Sequence, residues 1–169
     1  ALAGSTESYG AGGKDFWLVK TDASGIMQWN RTYGGSGNDN ISTGSGYDVI
    51  AFNHGDGNDT VRYSSGQDNT VSLGEGIRSG DLFFRKSEDN LILETGNNER
   101  IVFSDWYDSS RNKSVLTLQL IEEAAIDFAP GGANPLTDNK VEQFDFAGLV
   151  NSFDQARTAT PTLTTWALS

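Results

Sequence analysis

Gly35-Ser36-Gly37-Asn38-Asp39, Gly44-Ser45-Gly46-Tyr47-Asp48, Gly55-Asp56-Gly57-Asn58-Asp59 and Ser64-Ser65-Gly66-Gln67-Asp68 follow one another along the chain. Each is a small residue, a spacer and a Gly-x-Asp triplet, and the four aspartates stand nine, eleven and nine residues apart. Two residues beyond each acid comes Ile41, Ile50, Val61 or Thr70. A tight turn, an acid and a β-branched residue therefore recur in phase. A glycine-rich linker with solvated aspartates keeps no such phase.

The parts define the chemistry. Glycine reaches backbone conformations closed to other residues, so a Gly-x-Gly-x run curls tightly and aims carbonyl oxygens inward. Aspartate adds a short, hard carboxylate, and a cation that takes six to eight oxygen ligands, such as calcium, suits that mixture. The β-branched residue favours a short strand with its side chain inward. One nonapeptide is then a turn plus a strand, and two make one coil of a flattened helix. Turns two repeats apart stack on the same edge, so Asp39 is expected to face the turn of Asp59, and Asp48 that of Asp68. The candidate metal ligands are Gly35, Gly37, Asp39, Gly44, Gly46, Asp48, Gly55, Gly57, Asp59, Ser64, Gly66 and Asp68. A single coil cannot bury its own apolar face, so the repeats must stack. The expected fold is mostly β: a calcium-bound parallel β-roll, a β-rich flank that caps it, and a C-terminal helix.

This run resembles the calcium-binding nonapeptide repeats of RTX (haemolysin-type) proteins. Residues 34–42 (GGSGNDNIS) fit best, residues 43–51 have Thr43 for the leading glycine, and the third repeat carries two extra residues near 52–54. The fourth has Ser64 for a glycine and Thr70 for the aliphatic residue, so site quality is expected to fall along the run. Leu73-Gly74-Glu75-Gly76-Ile77, Gly80-Asp81-Leu82, Asn90-Leu91-Ile92-Leu93, Ile101-Val102 and Asp105-Trp106 look like the flank that follows such repeats, and residues 141–169 look like the C-terminal region of the same proteins. The resemblance implies export by type I secretion through a C-terminal signal, and folding on calcium outside the cell.

The first thirty-odd residues look different. Residues 8–22 (SYGAGGKDFWLVKTD) and 27–35 (MQWNRTYGG) resemble one blade of a surface β-propeller, and the blade motif overlaps the first repeat at 34–39. A chimeric chain follows from that overlap. A hairpin capping the open end of the roll is the simpler reading, and the two are compatible, since the first coil would otherwise expose an apolar end and unpaired edges. Gly13-Lys14-Asp15 mimics a repeat triplet but lies 24 residues before Asp39, out of register.

Composition agrees. Acids outnumber bases 23 to 12, for a formal charge of −11, and fifteen of the acids are aspartates. Such a chain is not expected to bind nucleic acid or anionic membranes. An uncompensated aspartate ladder repels itself, so metal binding and folding should be coupled. The absence of cysteine excludes disulfides and thiolate zinc sites. No apolar run approaches the ~20 residues of a membrane span. Without an initial Met or a leader pattern, the chain reads as a fragment or processed form.

The expected layout is a hairpin or blade-like cap at 1–33, the roll at 34–73, a β-rich flank at 74–126, and a loop with a C-terminal helical region at 127–169. Flank strands are expected near 82–85, 91–94, 100–103 and 115–121, with a turn at Gly96-Asn97-Asn98. An amphipathic helix is expected over 141–156, capped by Asp138 or Asn139, with Val141, Phe144, Leu149, Val150 and Phe153 as its apolar stripe. A second helix is expected to begin at Thr164 or Thr165.

Three functions fit these residues. The first is a non-enzymatic calcium-binding module of a large exported protein, whose sites would bind at roughly 10⁻⁴–10⁻³ M as extracellular modules do. The second is a calcium-dependent hydrolase of phosphate or sulfate esters, with an open coordination position and His54 or Asp56 as base. His54, the single histidine, otherwise reads as a turn residue. The third is a carbohydrate-binding adhesin using aromatics such as Trp106 and Tyr107, although Asp105-Trp106-Tyr107-Asp108 reads better as a plug for the roll, and Trp17, Trp29 and Trp166 as core. The Glu122-Glu123 pair reads as a solvated face. Exposed strand edges offer a route to a homodimer.

Overall fold

The computed structural model describes residues 2–6, 15–21, 27–33, 37–74, 76–121 and 126–168, with side chains from residue 37 onward. Gly35, Gly13-Lys14 and the Glu122-Glu123 pair lie outside the described residues, as do the side chains of Trp17 and Trp29.

Each of the four repeats yields a short strand, and successive strands fall on alternate sides of the molecule. Asn40–Ile41 (β4) and Asn58–Val61 (β6) pair in parallel in one sheet; Val49–Phe52 (β5) and Asn69–Leu73 (β7) pair in parallel in the other. Period-2 alternation turns Ile41 and Val61 inward from one side, and Ile50, Phe52, Val71 and Leu73 from the other, all at most 5% exposed. Burying an aliphatic side chain of this size contributes about 2 kcal/mol, and neither layer can do it without the other.

The flank continues the coil. Glu99–Phe103 (β10) lies parallel to β6, with Ile101 opposite Asp59 and Phe103 opposite Val61. Val115–Ile121 (β11) lies parallel to β7, with Val115 opposite Asn69 and a register shift before Thr117. Beyond this third layer both sheets turn antiparallel. Asn90–Gly96 (β9), Phe83–Ser87 (β8) and Thr165–Ala167 (β13) extend one, and Val141–Asp145 (β12) the other. At the opposite end Met27–Tyr33 (β3) pairs in parallel with β5, and Asp15–Thr21 (β2) and Leu2–Thr6 (β1) follow antiparallel. The result is a mostly β molecule of two mixed sheets, one seven-stranded and one six-stranded. Among the described residues its one α-helix is Phe146–Ala159 (α1).

An aromatic cluster closes the flank end. Trp106, 1% exposed, packs against Phe103 at 5.7 Å and Phe146 at 5.5 Å between ring centroids. Phe84 meets Phe146, Phe153 and Trp166. Tyr107 donates to Asp154 Oδ1 at 3.0 Å, tying the plug to α1.

Two expectations about the C-terminal region are overturned. Residues 141–145 are a strand, not the first turns of a helix. Val-Glu-Gln-Phe-Asp alternates with period 2 as readily as it fits a helical stripe, and β11 offers a backbone edge that must find partners. The helix begins only after Asp145, whose side chain accepts from Gly148 N at 3.0 Å, so Asp145 is the N-cap instead of Asp138 or Asn139. Phe146, Val150 and Phe153 form its buried stripe. The helix expected from Thr164 or Thr165 is instead β13, because pairing Trp166 with Phe84 brings its ring onto the aromatic cluster at 6.1 Å. Among the described residues no helix is long and apolar enough to cross a membrane.

Candidate metal centre

The turns preceding the four strands stack in pairs along two edges of the coil. At the first edge the turn of residues 37–39 lies against that of residues 55–59. Asp39 N donates to Asp59 Oδ1 at 3.0 Å, Asn58 N to Asn38 Oδ1 at 3.0 Å, and Gly37 N to the Asp56 carbonyl at 3.3 Å. Asp39 and Asp59 are 6% and 1% exposed, so two carboxylates stand buried in adjacent layers. Asn58 Oδ1 is also buried, with no hydrogen-bond partner. The spacing demands glycine: a Cβ on Gly57, at φ +90°, would run into the Gly37 carbonyl oxygen.

At the second edge the expected partner is displaced. Asp48 stacks on Asn69, not Asp68: Asp48 N donates to Asn69 Oδ1 at 3.0 Å, and Thr70 N to the Asp48 carbonyl at 2.8 Å. Asn69 is 1% exposed while Asp68 points to solvent. The cause is the parity of the strand. Its apolar residues are Val71 and Leu73, and inward alternation from them selects Asn69 and turns Asp68 and Thr70 away. In the other three repeats the aliphatic residue stands two after the acid; here it stands two after the asparagine. That offset is the sequence signal for Asn69, which acid spacing alone misses.

A neutral network surrounds Asp48. The Asn69 amide donates to Thr43 Oγ1 at 3.2 Å and Ser64 Oγ at 3.1 Å, and Ser64 Oγ lies 3.4 Å from the Gly66 carbonyl. Gly66 N donates to the Gly44 carbonyl at 2.8 Å, and a Cβ on Gly66 would meet the Gly46 carbonyl. Asp48 is 2% exposed and its Oδ2 has no hydrogen-bond partner. Burial pushes its carboxyl up to about 6, against the opposing effect of a hydrogen bond with Thr43.

Both ladders end in an apolar residue in the third layer. Ile101 follows Asp39 and Asp59 in register, and Val115 follows Asp48 and Asn69; each is fully buried. The acidic stack therefore stops after two layers and core begins.

The two candidate bases are otherwise engaged. His54 Nδ1 lies 3.0 Å from Glu99 Oε2, and Glu99 Oε1 accepts from Gly55 N at 2.7 Å. Asp56 Oδ2 accepts from Asn53 N at 2.8 Å, closing its own turn. His54 borders an open polar groove of about 350 Å³ whose Arg78 and Asp81 are already paired with each other at 3.2 Å. Glu99 was not legible as a functional residue, because its partners lie 44 and 45 positions away. Trp106 offers no open ring face to a sugar, being packed into the plug.

Among the described residues, no three His, Cys, Asp or Glu side chains gather in a way that could hold a metal ion. A cation at either edge would thus draw most of its ligands from carbonyl, amide and hydroxyl oxygens, the donor set that suits calcium over zinc. The residues fit that demand: buried aspartates, an orphaned Asp48 Oδ2, and glycines packed against the carbonyls of the turn below. No family model matches the sequence, and no curated protein matches it.

Proposed function

We propose that this chain is a non-enzymatic calcium-binding module of a larger exported protein, folding when it meets calcium outside the cell. The observation that carries the reading is the burial of Asp39, Asp48 and Asp59, each at most 6% exposed, at stacked glycine turns. A carboxylate taken out of water is costly unless a countercharge or a full set of donors accompanies it. Asp48 Oδ2 has no hydrogen-bond partner, and in a chain of formal charge −11 a divalent cation would supply its countercharge. Asp39 and Asp59, with carbonyls of the Gly37 and Gly57 turns, would hold a cation at the first edge; Asp48, with oxygens from the facing turn, would do so at the second. Binding free energy becomes folding free energy, which suits a chain that crosses a calcium-poor cytosol unfolded. Likeness to RTX repeats is part of this proposal and rests on the four in-phase repeats.

Circular dichroism of chelator-treated protein during calcium titration tests it. The expected outcome is a gain of strand signal and a cooperative thermal transition at millimolar calcium. An unchanged spectrum and melting temperature would overturn the reading.

A further inference from the structure

The slip in the fourth repeat makes the two edges chemically unequal, and we propose that they fill with calcium in two steps, with Asn69 setting the gap between them. The inference rests on the calcium reading above. The first edge brings two buried carboxylates together, Asp39 and Asp59, one layer apart. The second brings one, Asp48, onto an amide. Affinity in oxygen sites rises with the number of charged ligands, so the first edge should bind at least about tenfold more tightly.

Two further observations support a ligand at the second edge and give it a separate character. Asp48 Oδ2 is aimed into the stack with its side chain 2% exposed and with no hydrogen-bond partner, so one buried acceptor there awaits a cation. Around it, the Asn69 amide already satisfies Thr43 and Ser64, and the backbone bond from Gly66 to Gly44 holds the turns together. That edge keeps its shape on neutral hydrogen bonds and takes calcium as an addition. The first edge offers two carboxylates to one ion and so gains more from it. The sequence order of the repeats then becomes a response range: a first step that folds, and a second at higher calcium that stiffens.

The test is a calcium titration of the chelator-stripped chain, followed by calorimetry and by thermal melting. Four variants are compared with the parent: Asp59→Asn, Asp48→Asn, Asn69→Asp and Asp68→Asn. The parent is expected to show two steps about tenfold or more apart. Asp59→Asn should remove the tight step and Asp48→Asn the weak one. Asn69→Asp should draw the weak step toward the tight one and lower the metal-free melting temperature, whereas Asp68→Asn should move neither. If Asn69→Asp does not fold without metal, Asp48→Asn still decides the assignment. A single step in the parent that Asp59→Asn and Asp48→Asn weaken equally would overturn the two-step inference while leaving calcium binding intact. So would loss of the weak step in Asp68→Asn. Absence of any calcium response in every protein would overturn the underlying reading as well.

Discussion

At one edge of the coil two aspartates stack, Asp39 on Asp59; at the other a single aspartate, Asp48, rests on the amide of Asn69. Both edges descend from the same Gly-x-Asp turn, and in both the repeat acids, Asp39 and Asp59 or Asp48 and Asp68, are twenty residues apart in sequence. The ladders nonetheless advance by different amounts, because the strand that follows decides which residue turns inward. Apolar parity outweighs acid spacing: exposing Val71 and Leu73 would cost about 2 kcal/mol each, more than moving one exposed carboxylate by a residue. Which residue of a turn faces the stack in such a coil is set by the hydrophobic alternation next to it.

The largest effects come from testing how closely the turns pack. Gly57→Ala meets two obstacles, a left-handed backbone and the Gly37 carbonyl in the layer below. Gly66→Ala meets only the second, against the Gly46 carbonyl. Urea denaturation in calcium should show Gly57→Ala costing about 3 kcal/mol or more and Gly66→Ala roughly 1–2 kcal/mol less than that. Equal losses would mean that backbone strain contributes nothing to the difference between the edges.

Next comes the charge. In saturating calcium Asp59→Asn should lose about 2.7 kcal/mol, the stabilisation expected at a hundredfold excess over Kd. Without calcium the sign reverses, since the substitution removes one of two buried like charges and the variant should melt higher than the parent. Melting in chelator against melting in calcium reads the crossing directly. Loss of stability in both conditions would show that the protein itself already compensates the Asp59 carboxylate and that the ion is not what holds it.

These features were unequally legible in the sequence. The alternation of strands between two sheets was legible, because a turn and a β-branched residue recurring every nine or so residues admit few other packings. The stacking of the Asp39, Asp48 and Asp59 turns in two-repeat steps was legible for the same reason. Asn69 was passed over because its cue is the phase of Val71 and Leu73, not its own chemistry. Residues 141–145 satisfied two periodicities at once, and only the open edge of β11 decided between them. The Glu99 clamp on His54 and Gly55 joins residues that nothing local relates.

Acidity probes the second edge by a further route. Burial pushes the Asp48 carboxyl from its ordinary 3.8 up to about 6 in the folded chain. Below the lower value the carboxyl is neutral in both states and its burial carries no ionisation penalty. As pH rises through about 6 the unfolded chain is already ionised while the folded one must ionise in a buried position, so metal-free stability is lost across that window. On the order of 2 kcal/mol should disappear between about pH 4 and 7, allowing for partial screening. Urea midpoints of metal-free protein across that range check it. Asp48→Asn should flatten the share due to this edge; an unaltered slope would place the titration elsewhere.

The smallest expected effect separates the edges most cleanly. Glu99 bridges His54 Nδ1 and Gly55 N from the third layer, and so holds the turn of the third repeat, which belongs to the first edge only. Glu99→Gln keeps one acceptor and removes the charge. The charge-assisted bond to Gly55 weakens to a neutral one, a loss of about 1 kcal/mol. Amide exchange reads this locally: Gly55 should exchange several-fold faster, about what 1 kcal/mol allows. Gly66, bonded to the Gly44 carbonyl at the other edge, should be unaffected. Equal acceleration at both amides would mean that the two stacks open as one cooperative unit. A two-step response to calcium could not then arise from local differences between them, because an ion entering either stack would order both.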